Sequence, residues 1–75
     1  MKEIAIDSEF IKLSQLMKYA DIVGSGGVAK FVIQDGAVSV NGEVCTQRGK
    51  KINPGDVVVV HLDGQKTELK VVKGS

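Results

Sequence analysis

The apolar residues of this chain change period at one point, and that change sets what it can fold into. Before Asp35-Gly36 they recur at helical spacing, Leu13, Leu16, Met17 and Ala20 in one group and Val28, Ala29, Val32 and Ile33 in another. Stripes at this spacing give each of two short helices one apolar face. After Gly36 the period is two. Val38 and Val40 alternate with Ala37 and Ser39, and Val57 to His61 and Thr67 to Val72 read as further strands. Lys2 to Ile6 also alternates and predicts a short N-terminal strand. The order strand, two helices, about four strands predicts an α+β domain. Its helices group on one side of a small, mostly antiparallel sheet.

The residues between these segments agree with that order. Gly24 to Gly27 separates the two stripes, so the helices make a helix-turn-helix-like hairpin in which the glycines permit a sharp turn. Ser25 is the expected N-cap of the second helix, and Gly36 supplies the left-handed conformation that stops it. Asn41-Gly42 predicts a two-residue hairpin turn, because both residues tolerate positive φ. Asn53-Pro54-Gly55 and Asp63-Gly64 mark two more turns. Asp21, Asp35, Asp56 and Asp63 all lie beside glycine or at element ends, where turn and cap roles account for them.

With 75 residues there is room for one domain, residues 1–75, with a thin core. A single cysteine forms no intramolecular disulfide, and Cys45 with the lone His61 cannot complete a four-ligand zinc site. No metal and no cofactor are expected. Lys2 to Asp7 carries acids where a signal peptide needs an apolar run, and no stretch approaches the ~20 apolar residues of a membrane span. The expectation is a cytoplasmic monomer with no membrane partner.

The segment Gly24 to Lys30, GSGGVAK, has the look of a phosphate loop and fails its requirements. A P-loop needs lysine directly after the last glycine, then Ser or Thr, following a strand. Here Lys30 lies three residues past Gly27, no hydroxyl follows it, and a helix precedes it. A dinucleotide fold would need a G-x-G-x-x-G turn within a βαβ unit, which is also missing. Cys45 and His61 read as a small buried strand residue and a strand end, not as a nucleophile and its base. Neither an enzyme nor a small-molecule substrate is indicated.

Charge is nearly balanced, at +1 overall, but not evenly spread. Residues 44 to 55, VCTQRGKKINPG, hold Arg48, Lys50 and Lys51 and no acid, whereas the first eleven residues hold Glu3, Asp7 and Glu9 against Lys2. Aromatic residues are few: Phe10, Tyr19 and Phe31, with no Trp. Phe31 lies within an apolar helix and reads as core. Nucleic-acid binding by this chain would therefore use phosphates and shape, not base stacking.

From Leu13 to Asp56 the chain resembles the S-four RNA-binding domain, the family named for ribosomal small-subunit protein four. The resemblance lies in Ser25, Ala29, Val32-Ile33, Gly36, Val38, Val40-Asn41-Gly42 and Gly55-Asp56, spaced as in that family's S-R-x-x-A-x-x-L-I-x-x-G, V-x-V-N-G and G-D pattern. It is most similar to the small stand-alone bacterial members, which have a Gly-Gly turn and a Q-R-x-K-K-like loop, here Gln47-Arg48-Gly49-Lys50-Lys51. Gly26 stands where the wider family has arginine, and Phe31 and Ala37 stand where it is often basic. The resemblance implies an alpha-L fold and a non-catalytic protein that recognises structured RNA, ribosomal RNA above all. It implies that Lys30, Arg48, Lys50 and Lys51 converge on phosphates, with Gln47 in the same loop. Gly26 and Gly27 would admit the RNA backbone to a helix N-terminus, and Lys12 and Lys18 on the first helix would be lesser contributors.

Two other classes fit the same elements. A ubiquitin-like carrier shares the V-N-G-E and P-G-D turns, but such carriers end in Gly-Gly and this chain ends Lys73-Gly74-Ser75. A protein-interaction module docking on a ribosomal or replication partner is compatible with the small net charge.

Overall fold

The computed structural model describes residues 1–74, so Ser75, on which the comparison with carrier proteins turned, lies outside the described residues. The chain runs β1 (Lys2–Ile6), β2 (Ile11–Lys12), α1 (Leu13–Tyr19), α2 (Gly26–Gln34), β3 (Val38–Val40), β4 (Glu43–Val44), β5 (Lys51–Ile52), β6 (Val57–Leu62) and β7 (Gln65–Lys73). Five strands form one sheet in the order β1-β7-β6-β3-β4. Its pairings are antiparallel except the outermost, where β1 lies parallel to β7 with Ile4 opposite Val71. β2 and β5 make a separate antiparallel pair. The α+β expectation holds, with one more strand after the helices than anticipated.

Apolar periodicity translates directly into burial. Leu13, Leu16, Met17 and Ala20 of the first stripe are all buried, and Val58 and Val60 turn inward from β6 while Val57 and Val59 are half-buried. With Ile4, Ile6, Ile33, Val38, Leu69 and Val71 they form one continuous cluster between the helices and the sheet. No polar or charged side chain is buried among the described residues. This core therefore rests on apolar burial alone, at roughly 25 cal/mol per Å² removed from water.

The turns follow the residues that make them. Asn41 and Gly42 take φ of 51° and 88°, and Asp63 and Gly64 take 52° and 74°, the paired positive values of a type I′ hairpin. Gly36 stops α2 at φ 82°. Ser25 Oγ accepts the Val28 N–H at 3.3 Å, capping α2 as expected.

Four expectations need correction. On α2 only Ala29 and Ile33 are buried; Val32 is half-buried and Val28 is exposed. Phe31, read as core, is 79% exposed. At about 100° per residue it lies roughly 160° around the helix from both Ala29 and Ile33, so the arc that seats them turns Phe31 outward. Cys45 lies just past the two-residue β4 and is half-buried, not a buried strand residue. Finally, the turn between the helices does not depend on glycine: Gly24, Gly26 and Gly27 all avoid positive φ, and Asp21, at 61°, makes the left-handed step. Neither helix is long and apolar enough to cross a membrane.

Candidate nucleic-acid interface

Helix α1 begins without a side-chain cap. Its N-cap residue Lys12 is extended, at φ −71° and ψ 145°, and has no side-chain acceptor to offer. The first N–H groups of any helix still require partners, and here a distant loop supplies them. Leu13 N–H donates to the Lys50 carbonyl at 2.9 Å and Ser14 N–H to the Arg48 carbonyl at 3.1 Å. Lys50 N–H closes the loop on itself by donating to the Gln47 carbonyl at 3.2 Å. The backbone of residues 47–50 is thus fixed across the end of α1, and the side chains of Gln47, Arg48 and Lys50 are left on the surface.

The β2–β5 pair continues this anchorage and sets Lys12 directly opposite Lys51. Directly opposed side chains of an antiparallel pair are close neighbours, and like charges there are unfavourable. Lys51 Nζ lies 4.9 Å from the centroid of the Phe10 ring, a cation–π contact that orients it. Among the described residues the one ion pair is Lys66 with Glu68, at 3.1 Å. Lys12, Lys30, Arg48, Lys50 and Lys51 therefore have no acidic partner within that range among the described residues. Four of these cations sit on one anchored unit of loop and strand pair.

The surface between them has two depressions. In the first, Lys12, Ser14, Gln15, Arg48 and Gly49 face Gly26 at the start of α2. In the second, Gln47, Lys50 and Lys51 face the β3–β4 hairpin across an open groove that also carries Glu43. The far wall of that groove is locked by side chains. Asn41 Oδ1 accepts the Val57 N–H at 2.9 Å, and Asn41 Nδ2 donates to Asp56 Oδ1 at 3.1 Å. Asp56 Oδ2 in turn accepts the Asn53 N–H at 2.8 Å.

Of the residues named from the sequence, Lys12, Gly26 and Arg48 are brought together in one depression, and Gln47, Lys50 and Lys51 in the neighbouring one. Lys30 lines neither. It stands one helical turn beyond Gly26 on the same row of α2, exposed. Lys18 is the outlier, about 9 Å along α1 from the Lys12 end and beside the Asp21 turn. Gly26 and Gly27 have open space around them. A Cβ would meet nothing within 4 Å at Gly26 and only Ser25 Oγ, at 3.9 Å, at Gly27. Lys12 belongs to β2 and the helix cap, not to the helix itself, and is more central than its sequence context indicated. One signal in the sequence bore on this: Lys12-Leu13 starts a helix with no Ser, Thr, Asp or Asn at the cap, so its first N–H groups need acceptors from another segment or from water.

Comparison with known proteins follows the same lines. The family described as S4 domain matches residues 4–71. Over 57 residues the chain is 46% identical to a protein of Bacillus subtilis (strain 168) described as a probable ribosome maturation protein, RlbA; the match covers 76% of this chain and 80% of that one. Among solved structures, the trimeric structure of Vibrio cholerae heat shock protein 15 superposes with a TM-score of 0.77, covering 89% of this chain and 67% of that one. At 18% identity that likeness is one of fold.

Proposed function

The chain belongs to the S4 domain family, and from that premise we propose that it is a non-catalytic RNA-binding protein that grips structured ribosomal RNA through its phosphates. The observation that carries this reading is the unit of four cations, Lys12, Arg48, Lys50 and Lys51, which have no acidic partner among the described residues and which backbone hydrogen bonds hold at the start of α1. Opposing two lysines across a strand pair without an acid is unfavourable in isolation, and an anion between them reverses the sign. Lys30 extends the same positive surface along α2, and Gly26 and Gly27 leave its first turn open to a phosphate chain. Lys18 stands apart and contributes least. The likeness to a probable ribosome maturation protein of Bacillus subtilis supports the ribosome as the place of action, and hence the cytoplasm.

The test is salt dependence. About four phosphate contacts predict that log K for ribosomal RNA fragments falls with log salt at a slope of about −3 to −4. The triple variant Arg48→Ala, Lys50→Ala, Lys51→Ala should flatten that slope by roughly three quarters and weaken binding alike on all fragments. An affinity insensitive to salt, or unchanged in the triple variant, rejects the proposal.

A further inference from the structure

Phe31 is the most exposed large hydrophobic side chain among the described residues, at 79%, and it points directly away from the core. Around α2 it shares the outer arc with Gly27, Val28 and Gln34, and Lys30 lies about 100° to one side, on the flank of the helix. Long side chains on a helix lean back over the preceding turn, which here holds Gly27. At Gly27 there is no side chain, and a Cβ would meet only Ser25 Oγ at 3.9 Å. The preceding turn therefore offers no side chain at Gly27 and only the exposed Val28 beside it, so the ring stays open to a flat partner. No acid occurs anywhere in α2, GGVAKFVIQ. Its Gly26 end borders the depression that holds Lys12 and Arg48.

We propose that Phe31 is a stacking platform for an unpaired nucleobase of the bound RNA. The inference rests on the RNA-binding reading above and adds to it a ligand class, single-stranded or looped nucleotides, that phosphate contacts alone do not select. Charge argues for this occupant. A nucleotide presents a flat apolar face together with an anion, matching an open ring with Lys30 on the flank of the same helix and the Lys12–Arg48 depression at its Gly26 end. A second copy of the chain docking two-fold on this face would set Lys30 against Lys30. Base–aromatic stacking tolerates any base, because each has a π-face, so the selection is for unpaired over paired RNA and not for a sequence.

The chain contains no Trp, so Phe31→Trp places a single indole at the site. Two probes of equal length suffice, a ribosomal RNA hairpin with an unpaired loop and a fully paired RNA duplex. Titration with the hairpin should quench the indole, and the duplex should not. Phe31→Ala should lose about five- to a hundredfold in affinity for the hairpin, with the salt slope and the duplex affinity unchanged. Because the side chain is exposed, unfolding curves of Phe31→Ala should overlay those of the parent. Hairpin affinity within twofold of the parent in Phe31→Ala overturns the proposal, as does an equal loss on the duplex. An indole signal that changes with protein concentration in the absence of RNA also overturns it, by showing a second copy on the ring. If the charge variant loses the hairpin while Phe31→Ala keeps it, stacking falls and the phosphate reading stands. If the parent binds neither probe, both fall.

Discussion

Asn41 combines a backbone and a side-chain role, and the two can be separated by substitution. Its φ of 51° is one that asparagine and glycine tolerate and alanine does not. Its amide accepts from Val57 N–H and donates to Asp56, so the β3–β4 turn is tied to the turn before β6. The V-N-G and G-D motifs by which the family is recognised thus meet in one network that shapes a groove wall. The turn itself was legible in the sequence. The tie was not, because it spans fifteen residues and local pattern carries no information at that range. Asn41→Gly should lose the side-chain bonds, about 1–2 kcal/mol for this exposed pair, and about 0.5 kcal/mol more from glycine's freer unfolded chain. Asn41→Ala should lose the same bonds and add about 1 kcal/mol of backbone strain. Urea midpoints of the two variants compare them directly. Equal midpoints would show that the strain on alanine at this position is no larger than glycine's entropic cost.

At the scale of elements, legibility followed length. β6 and β7, α1 and α2 are long enough for a period to declare itself, and each was readable within a residue or two of its ends. β2 and β5 are two residues each and have no period. They exist because Ile52 belongs to the core, Ile11 packs against it, and the 47–50 loop caps α1. Yet this pair, with the loop that caps α1, organises the candidate interface. Its like-charged Lys12–Lys51 partnership leads to a double expectation for Lys12→Glu. An opposite-charge cross-strand pair and an acid at the start of a helix both stabilise, together by about 0.5–1.5 kcal/mol at low salt. For a domain of this size that raises Tm by several degrees, an effect that added salt should erase. The same variant should bind ribosomal RNA fragments more weakly and with a shallower salt slope. A gain in stability with undiminished binding would remove Lys12 from the interface.

For the molecule as a whole, the parallel pairing of β1 with β7 joins the two ends of the sequence, a contact that no local pattern announces. It covers Leu69 and Val71, both fully buried, and makes the central strands of a thin core dependent on the edge. Total stability for 75 residues is of the order of 4–11 kcal/mol, so one good truncation removes a large part of it. Leu69→Ala should cost about 2–5 kcal/mol and lower Tm by ten degrees or more. RNA that binds only the folded state then becomes a stabiliser, worth about 2.7 kcal/mol at a hundredfold excess over Kd. Saturating ribosomal RNA should therefore restore much of the Tm lost by Leu69→Ala. In a chain that also carries Arg48→Ala, Lys50→Ala and Lys51→Ala, the same RNA concentration should restore little of it. Leu69 is buried, and the three cations sit on the surface, so the two sets of changes act on separate parts of the fold. Rescue undiminished without the three cations would mean that the RNA contacts which matter lie elsewhere. The loop that caps α1 would then be scaffold, not interface.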